Sequence, residues 1–148
     1  MTIIEMGKRA KAASTELAKL SSDTKNKALM AMAEALENSI KQILEANQRD
    51  IEASKEKGVK SALIDRLILN KSRIGNMAQS LREISRLPDP IGQIVKTWTR
   101  PNGLIIGQIR VPLGVVGIIY ESRPDVTTDA SGICVKSGNA IILPLATA

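Results

Sequence analysis

Apolar positions recur every three or four residues through the first half of the chain, then alternate, and finally merge into an unbroken run. Residues 1–20 place Ile3, Ile4, Leu17 and Leu20 among Lys8, Arg9, Lys11 and Lys19, an alanine-rich stretch that favours helix but carries a weak apolar stripe. Ser21-Ser22-Asp23 supplies a stop and a fresh N-cap, so a second helix is expected from near Asp23. Its buried face would hold Leu29, Met32, Leu36, Ile40 and Ile43, and Asn38-Ser39 leaves open whether this is one helix or two. Asn47 to Lys57 reads as a turn and a helix carrying Ile51, ended by Gly58. Leu63, Ile64, Leu67 and Leu69 form a short amphipathic piece. A further helix spans Lys71 to Arg86, with Ile74, Met77, Leu81 and Ile84 on one side, until Leu87-Pro88-Asp89-Pro90 stops it.

The pattern then turns to β. Ile94 to Thr99 alternates, Leu104 to Val111 follows as a second strand, and Arg100-Pro101-Asn102-Gly103 between them predicts a hairpin. From Gly114 the chain reads GVVGIIYESRPDVTTDASGICVKSGNAIIL to Leu143. Val115 to Ile119 has no polar alternation, which suits a strand covered on both faces. Asp125 is the expected N-cap of a helix marked by Val126, Ala130, Ile133 and Ser137, with Gly138 ending it and Ala140 to Leu143 returning as a strand. Strand, helix, strand in so few residues is a βαβ unit. The predicted class is α/β: N-terminal helices over 1–87, a hairpin over 94–111, and a βαβ unit over 114–143. Two parallel strands cannot bury their own edges, so the chain is expected to be a fragment.

Ligands of open α/β sheets gather beyond the carboxyl ends of the strands. That rule makes Tyr120, Glu121, Ser122, Arg123 and Pro124 the expected binding edge, beside a helix N-terminus that favours an anion. Arg123 is the most informative cation there; a surface pair with Glu121 is the bland alternative.

Composition narrows the chemistry. The chain has 148 residues, a net charge of +6, a single cysteine and no histidine. Without histidine, Ser–His and Cys–His pairs are excluded within the chain, and the commonest metal ligand is missing, so neither a catalytic residue nor a metal site is assigned. Cys134 should sit near the negative end of its helix, a place that disfavours a thiolate, and reads as a small core residue. The positive charge is dispersed, and Trp98 and Tyr120 are the only aromatics, so nucleic-acid binding is not expected. No apolar run is long enough for a membrane span and the first residues lack a secretory signal's apolar core, so a cytoplasmic protein is expected.

Arg110 to Leu143 resembles the N-terminal dinucleotide-domain signature of gamma-glutamyl phosphate reductase (glutamate-5-semialdehyde dehydrogenase), within the aldehyde dehydrogenase superfamily. The hairpin segment TWTRPNGL, the LPDPIG of Leu87 to Gly92, and ANQRDIEASKEKG and ALIDRLIL between Ala46 and Leu69 resemble the same family in the same order. The resemblance implies the start of an incomplete Rossmann-like NADPH-binding domain. It implies NADPH-dependent reduction of L-glutamate 5-phosphate to the 5-semialdehyde in proline synthesis, in the complete enzyme, through a cysteine in a catalytic domain absent from this chain. It also implies homo-oligomerisation through the hairpin. Two departures stand out: Asp125 where the family often has asparagine, and Pro144-Leu145-Ala146-Thr147-Ala148 where an arginine and a glycine pair are expected. The alternative from another class is a stand-alone helical interaction module without catalysis.

Overall fold

The structure, a computed structural model, describes residues 2–121 and 123–143. Among these residues six helices lead into and flank two small sheets. α1 (Ile3–Leu17) opens on a capping box, in which Glu5 N–H donates to the Thr2 hydroxyl and Thr2 N–H donates to the Glu5 carboxylate. α2 (Ser22–Asn38) is capped by Ser21, whose hydroxyl accepts from Thr24 N–H, so the expected start near Asp23 holds with the neighbouring serine as cap. α3 (Ile40–Glu56) starts directly after Ser39 and is unbroken. The turn expected at Asn47 is not there. Asn47 instead points inward from the helix, where its amide donates to Leu67 O at 2.9 Å and accepts from Leu69 N–H at 2.8 Å. That pair of bonds fixes the exit of α4 (Ser61–Leu67). Asn70 then caps α5 (Lys71–Arg86) by accepting from Arg73 N–H.

The core lies between α2 and α5. Leu29, Ala33, Ala78, Leu81 and Ile84 are buried together, with Met32, Leu36 and Val135 against them. All four apolar positions predicted for α5 are buried. α6 (Pro124–Lys136) lies across this pair at Gly132, where an added Cβ would stand 2.7 Å from Leu81 Cδ2 and 3.0 Å from Ile84 Cδ1. Only glycine lets the helix approach so closely.

β1 (Ile94–Thr99) and β2 (Ile105–Ile109) form the predicted antiparallel hairpin, with a register irregularity between Ile94 and Lys96. Gly103 takes φ +85° in the turn. Every residue of β1 is exposed, so here alternation marks a projecting hairpin rather than a half-buried one. β3 (Val115–Gly117) and β4 (Ala140–Ile142) pair in parallel, Val115 opposite Ala140, and complete the βαβ unit. The expectation of a strand covered on both faces is corrected: β3 is three residues long, its valines are half-buried, and Ile119 is 92% exposed. Asn139 locks the unit by accepting from Gly114 N–H, while Gly138, at φ +68°, turns the chain out of α6. The departure at 144–148 lies outside the described residues.

Candidate functional site

β3 leads into a strand-to-helix turn, and this turn borders a cleft of about 450 Å³ between α4, α5 and the start of α6. Asp65 and Arg66 come from α4, Arg73, Asn76, Met77 and Ser80 from α5, and Arg123, Asp125 and Asp129 from the α6 end. Both signs of charge line it, and Ile68, Leu69 and Met77 give it an apolar wall.

Some of these side chains are already committed. Arg73 donates to the carbonyls of Asp65 and Ile68, tying the end of α4 to α5. Asp129 accepts from the Ser80 hydroxyl at 2.8 Å, tying α6 to α5. Among the described residues, the side chains of Arg66, Arg123 and Asp125 make no hydrogen bond or ion pair.

The five residues expected at the binding edge meet different fates. Arg123 lines the cleft and precedes α6. No ion pair joins it to Glu121, which is exposed. Pro124 occupies the first turn of α6, where its missing N–H is no loss. The Tyr120 hydroxyl bonds that of Thr127, so this ring pins the turn to the helix. Ser122 lies outside the described residues. Asp125 is not the N-cap: that position is Arg123, without a side-chain cap, and Asp125 sits in the first turn. Starting a helix on proline moves its boundary one residue ahead of the aspartate, which then faces the positive end of the helix dipole.

Behind the cleft, α6 is held by buried charge. The Lys136 ammonium donates to Asn26 Oδ1 at 2.6 Å and to the Ser85 carbonyl at 2.8 Å. Lys25, equally buried, pairs with Asp89, which also accepts from the Ser22 hydroxyl and Ile91 N–H. Burial alone would raise the Asp89 carboxyl; its hydrogen bonds from Lys25, Ser22 and Ile91 outweigh that and hold it at about 2. Burial pushes the Lys136 ammonium down, offset by Asp89 and reinforced by Lys25. Cys134 is a buried free thiol in the last turn of α6, pushed up by burial, and has no nucleophile's environment.

Sequence reasoning did not find Arg66, Arg73, Asn76, Ser80 or Asp129. A signal existed: Arg73, Asn76 and Ser80 recur at helical spacing on the polar side of α5. Among the described residues no group of three or more acidic, cysteine or histidine side chains is arranged to hold a metal, and no helix is long and apolar enough to cross a membrane.

No family model matches the chain. Among curated proteins it is 59% identical over 137 residues to gamma-glutamyl phosphate reductase of Moorella thermoacetica, covering 93% of this chain and 33% of that protein. The reductase of Heliobacterium modesticaldum is 60% identical with the same coverage. Among solved structures, gamma-glutamyl phosphate reductase from Thermotoga maritima superposes with a TM-score of 0.89 at 44% identity, over 95% of this chain and 34% of that one. The Saccharomyces cerevisiae enzyme gives the same TM-score at 33% identity, over 95% of this chain and 36% of that one. The chain therefore spans about a third of the length of the relatives it matches, and over that third its sequence and fold are similar to those of gamma-glutamyl phosphate reductases.

Proposed function

We propose that this chain is the front part of a cytoplasmic NADPH-dependent reductase that converts L-glutamate 5-phosphate to L-glutamate 5-semialdehyde in proline biosynthesis. The reading rests on the 59% identity to such a reductase across 93% of the chain, together with a charged cleft at the carboxyl end of β3. β3, α6 and β4 would be the first βαβ unit of a Rossmann-like sheet that the rest of the reductase continues. Residues 1–87 would be its helical part, and the nucleophilic cysteine would lie outside this chain, since Cys134 is buried as a thiol.

The residues present fit one anionic group of the cofactor. Arg123 offers a permanent charged fork, and the start of α6 places the positive end of its dipole beside it. Tyr120 and Pro124 shape that turn, and Glu121 and Ser122 complete the segment on which the cofactor would rest. When bound, NADPH supplies the hydride. The protein's own task here is to hold anionic groups in a fixed place against a preset helix end, so that little reorganisation is needed on binding.

The test is a chimaera in which this chain replaces the matching third of the Moorella thermoacetica enzyme, assayed in both directions. NADPH-dependent turnover is expected. Arg123→Ala should lower kcat/KM by about ten- to a hundredfold, the loss of one charge-assisted contact. Its exposed side chain predicts an unchanged melting temperature. A folded chimaera without turnover would refute the reading, and unaltered kinetics in the variant would return Arg123 to a solvated surface role.

The hairpin is the proposed site of homo-oligomerisation. Ile94, Val95, Ile105 and Ile109 are all more than half exposed, and both strands project from the helical core. Light scattering should report a dimer or larger species, and Ile105→Lys should shift it towards monomer. A monomeric parent chain at high concentration would sink this assignment.

A further inference from the structure

Resting on the reductase reading, we propose that Thr127 and Tyr120 are a positioning pair, whose hydroxyl–hydroxyl bond holds Arg123 where it meets an anionic group of the cofactor. The backbone around Arg123 is otherwise weakly held. β3 ends at Gly117, and its pairing with β4 is carried one residue further by the Ile118 N–H, which donates to the Ile142 carbonyl at 3.1 Å. Ile119 is 92% exposed and does not anchor the turn. On the far side of the turn, Arg123 stands at φ −135° and ψ 84°, outside the helical region and without a side-chain cap. Its carbonyl accepts from the Val126 N–H at 3.1 Å, so α6 begins on the residue that carries the cation. Among the described residues of 118–123, only Tyr120 makes a side-chain hydrogen bond, and its partner Thr127 lies one turn into α6.

That bond closes the chain from 120 to 127 into a loop with Arg123 inside it. Both of its ends are stiff. The phenol is half-buried and turns about two torsions only, and Thr127 is β-branched on a helix, where few side-chain rotamers are open. Pro124 adds a second restraint, because its ring bars the residue before it from the helical region. Arg123 is thus held from both directions along the chain, while its guanidinium makes no bond within the protein and stays open to a ligand. A cation already in place need not be ordered on binding, and affinity rises by that saving. Stability depends on the pair far less. Thr127 is exposed, so either hydroxyl can turn to water when the other is removed.

The test is a variant series in the chimaera described above, with the dissociation constant of NADPH read from its fluorescence. Tyr120→Phe and Thr127→Val should each weaken NADPH by about three- to tenfold, the loss of one neutral hydrogen bond, with kcat at saturating NADPH unchanged. Thr127→Ser keeps the hydroxyl and should bind NADPH nearly as the parent does. Because the pair acts through Arg123, both substitutions should lose their effect when made on top of Arg123→Ala. Equal weakening with and without Arg123, or a serine variant as weak as the valine one, would overturn the positioning role. In the chain itself, Tyr120→Phe should speed hydrogen exchange of the Val126 amide by about the same factor, measured by NMR. An unaltered exchange rate would overturn the tether whatever the chimaera does. The reductase reading fails separately. A folded chimaera without NADPH turnover would refute it, whereas turnover with parental NADPH affinity in Tyr120→Phe would refute only the pair.

Discussion

Asp89→Asn is expected to destabilise the fold by at least about 2 kcal/mol and by as much as about 5. The lower figure follows from the carboxyl's displacement from 3.8 to about 2, because asparagine resembles the protonated acid that the folded state resists. The upper figure is what breaking one side of a buried ion pair typically costs. Lys25 decides between them. Its side chain is 3% exposed, so water cannot replace the lost partner, and Lys136 stands as a second buried ammonium nearby. The outcome should fall in the upper half of the range, read by urea denaturation at neutral pH. Adding Lys25→Met should restore part of the loss, because it removes the orphaned charge. The same carboxyl gives a signature in acid. Its folded value is depressed, so its stabilisation is complete above the ordinary value of 3.8 and is lost as pH falls from there towards 2. The parent chain should show this acid limb and the variant should lack it. Equal acid profiles would remove Asp89 from the account.

A comparable effect is expected at Leu81, with a condition attached. Leu81→Ala empties a fully buried site and should cost about 3–5 kcal/mol. Gly132→Ala alone brings a methyl to within 2.7 Å of Leu81 Cδ2, an overpacking worth about 1–3 kcal/mol, offset by up to about 1 from better helix propensity. Combined, the two should not add. The methyl that clashes in the parent enters the space vacated by leucine, so the double variant should be more stable than the sum predicts by about 0.5–3 kcal/mol. Simple additivity in denaturant titrations would mean that α6 does not pack on α5 through this glycine.

Where sequence and structure agree, a local rule decided the outcome. α5 was legible from end to end because four apolar residues at one helical spacing form a single buried face. The turn glycines Gly103 and Gly138 were legible because positive φ has few other occupants. The parallel pairing of β3 and β4 followed from two apolar runs separated by one helix. The misses share a cause as well. Asn47 is a turn former by propensity, but a tertiary demand, the unpaired backbone at Leu67 and Leu69, holds it in mid-helix. Of the candidate site, Arg123 was visible because it follows a strand. Arg66 was not, since only the tertiary fold brings α4 to the cleft. The burial of Lys25 and Lys136 was equally hidden, because charge in a sequence says nothing of the distant partner that makes burial tolerable.

The bond from Lys136 to Asn26 joins residues 110 positions apart. A chain synthesised from its N-terminus completes α2 and α5 well before α6 leaves the ribosome. Until it does, the sides of Leu81 and Ile84 that will receive Gly132 have nothing over them, and Asn26 and the Ser85 carbonyl have only water as partner. The helical half is thus a docking platform waiting for its third member. Its vulnerable interval during synthesis lasts until Lys136 arrives, so α6 is the helix that covers the α2–α5 pair.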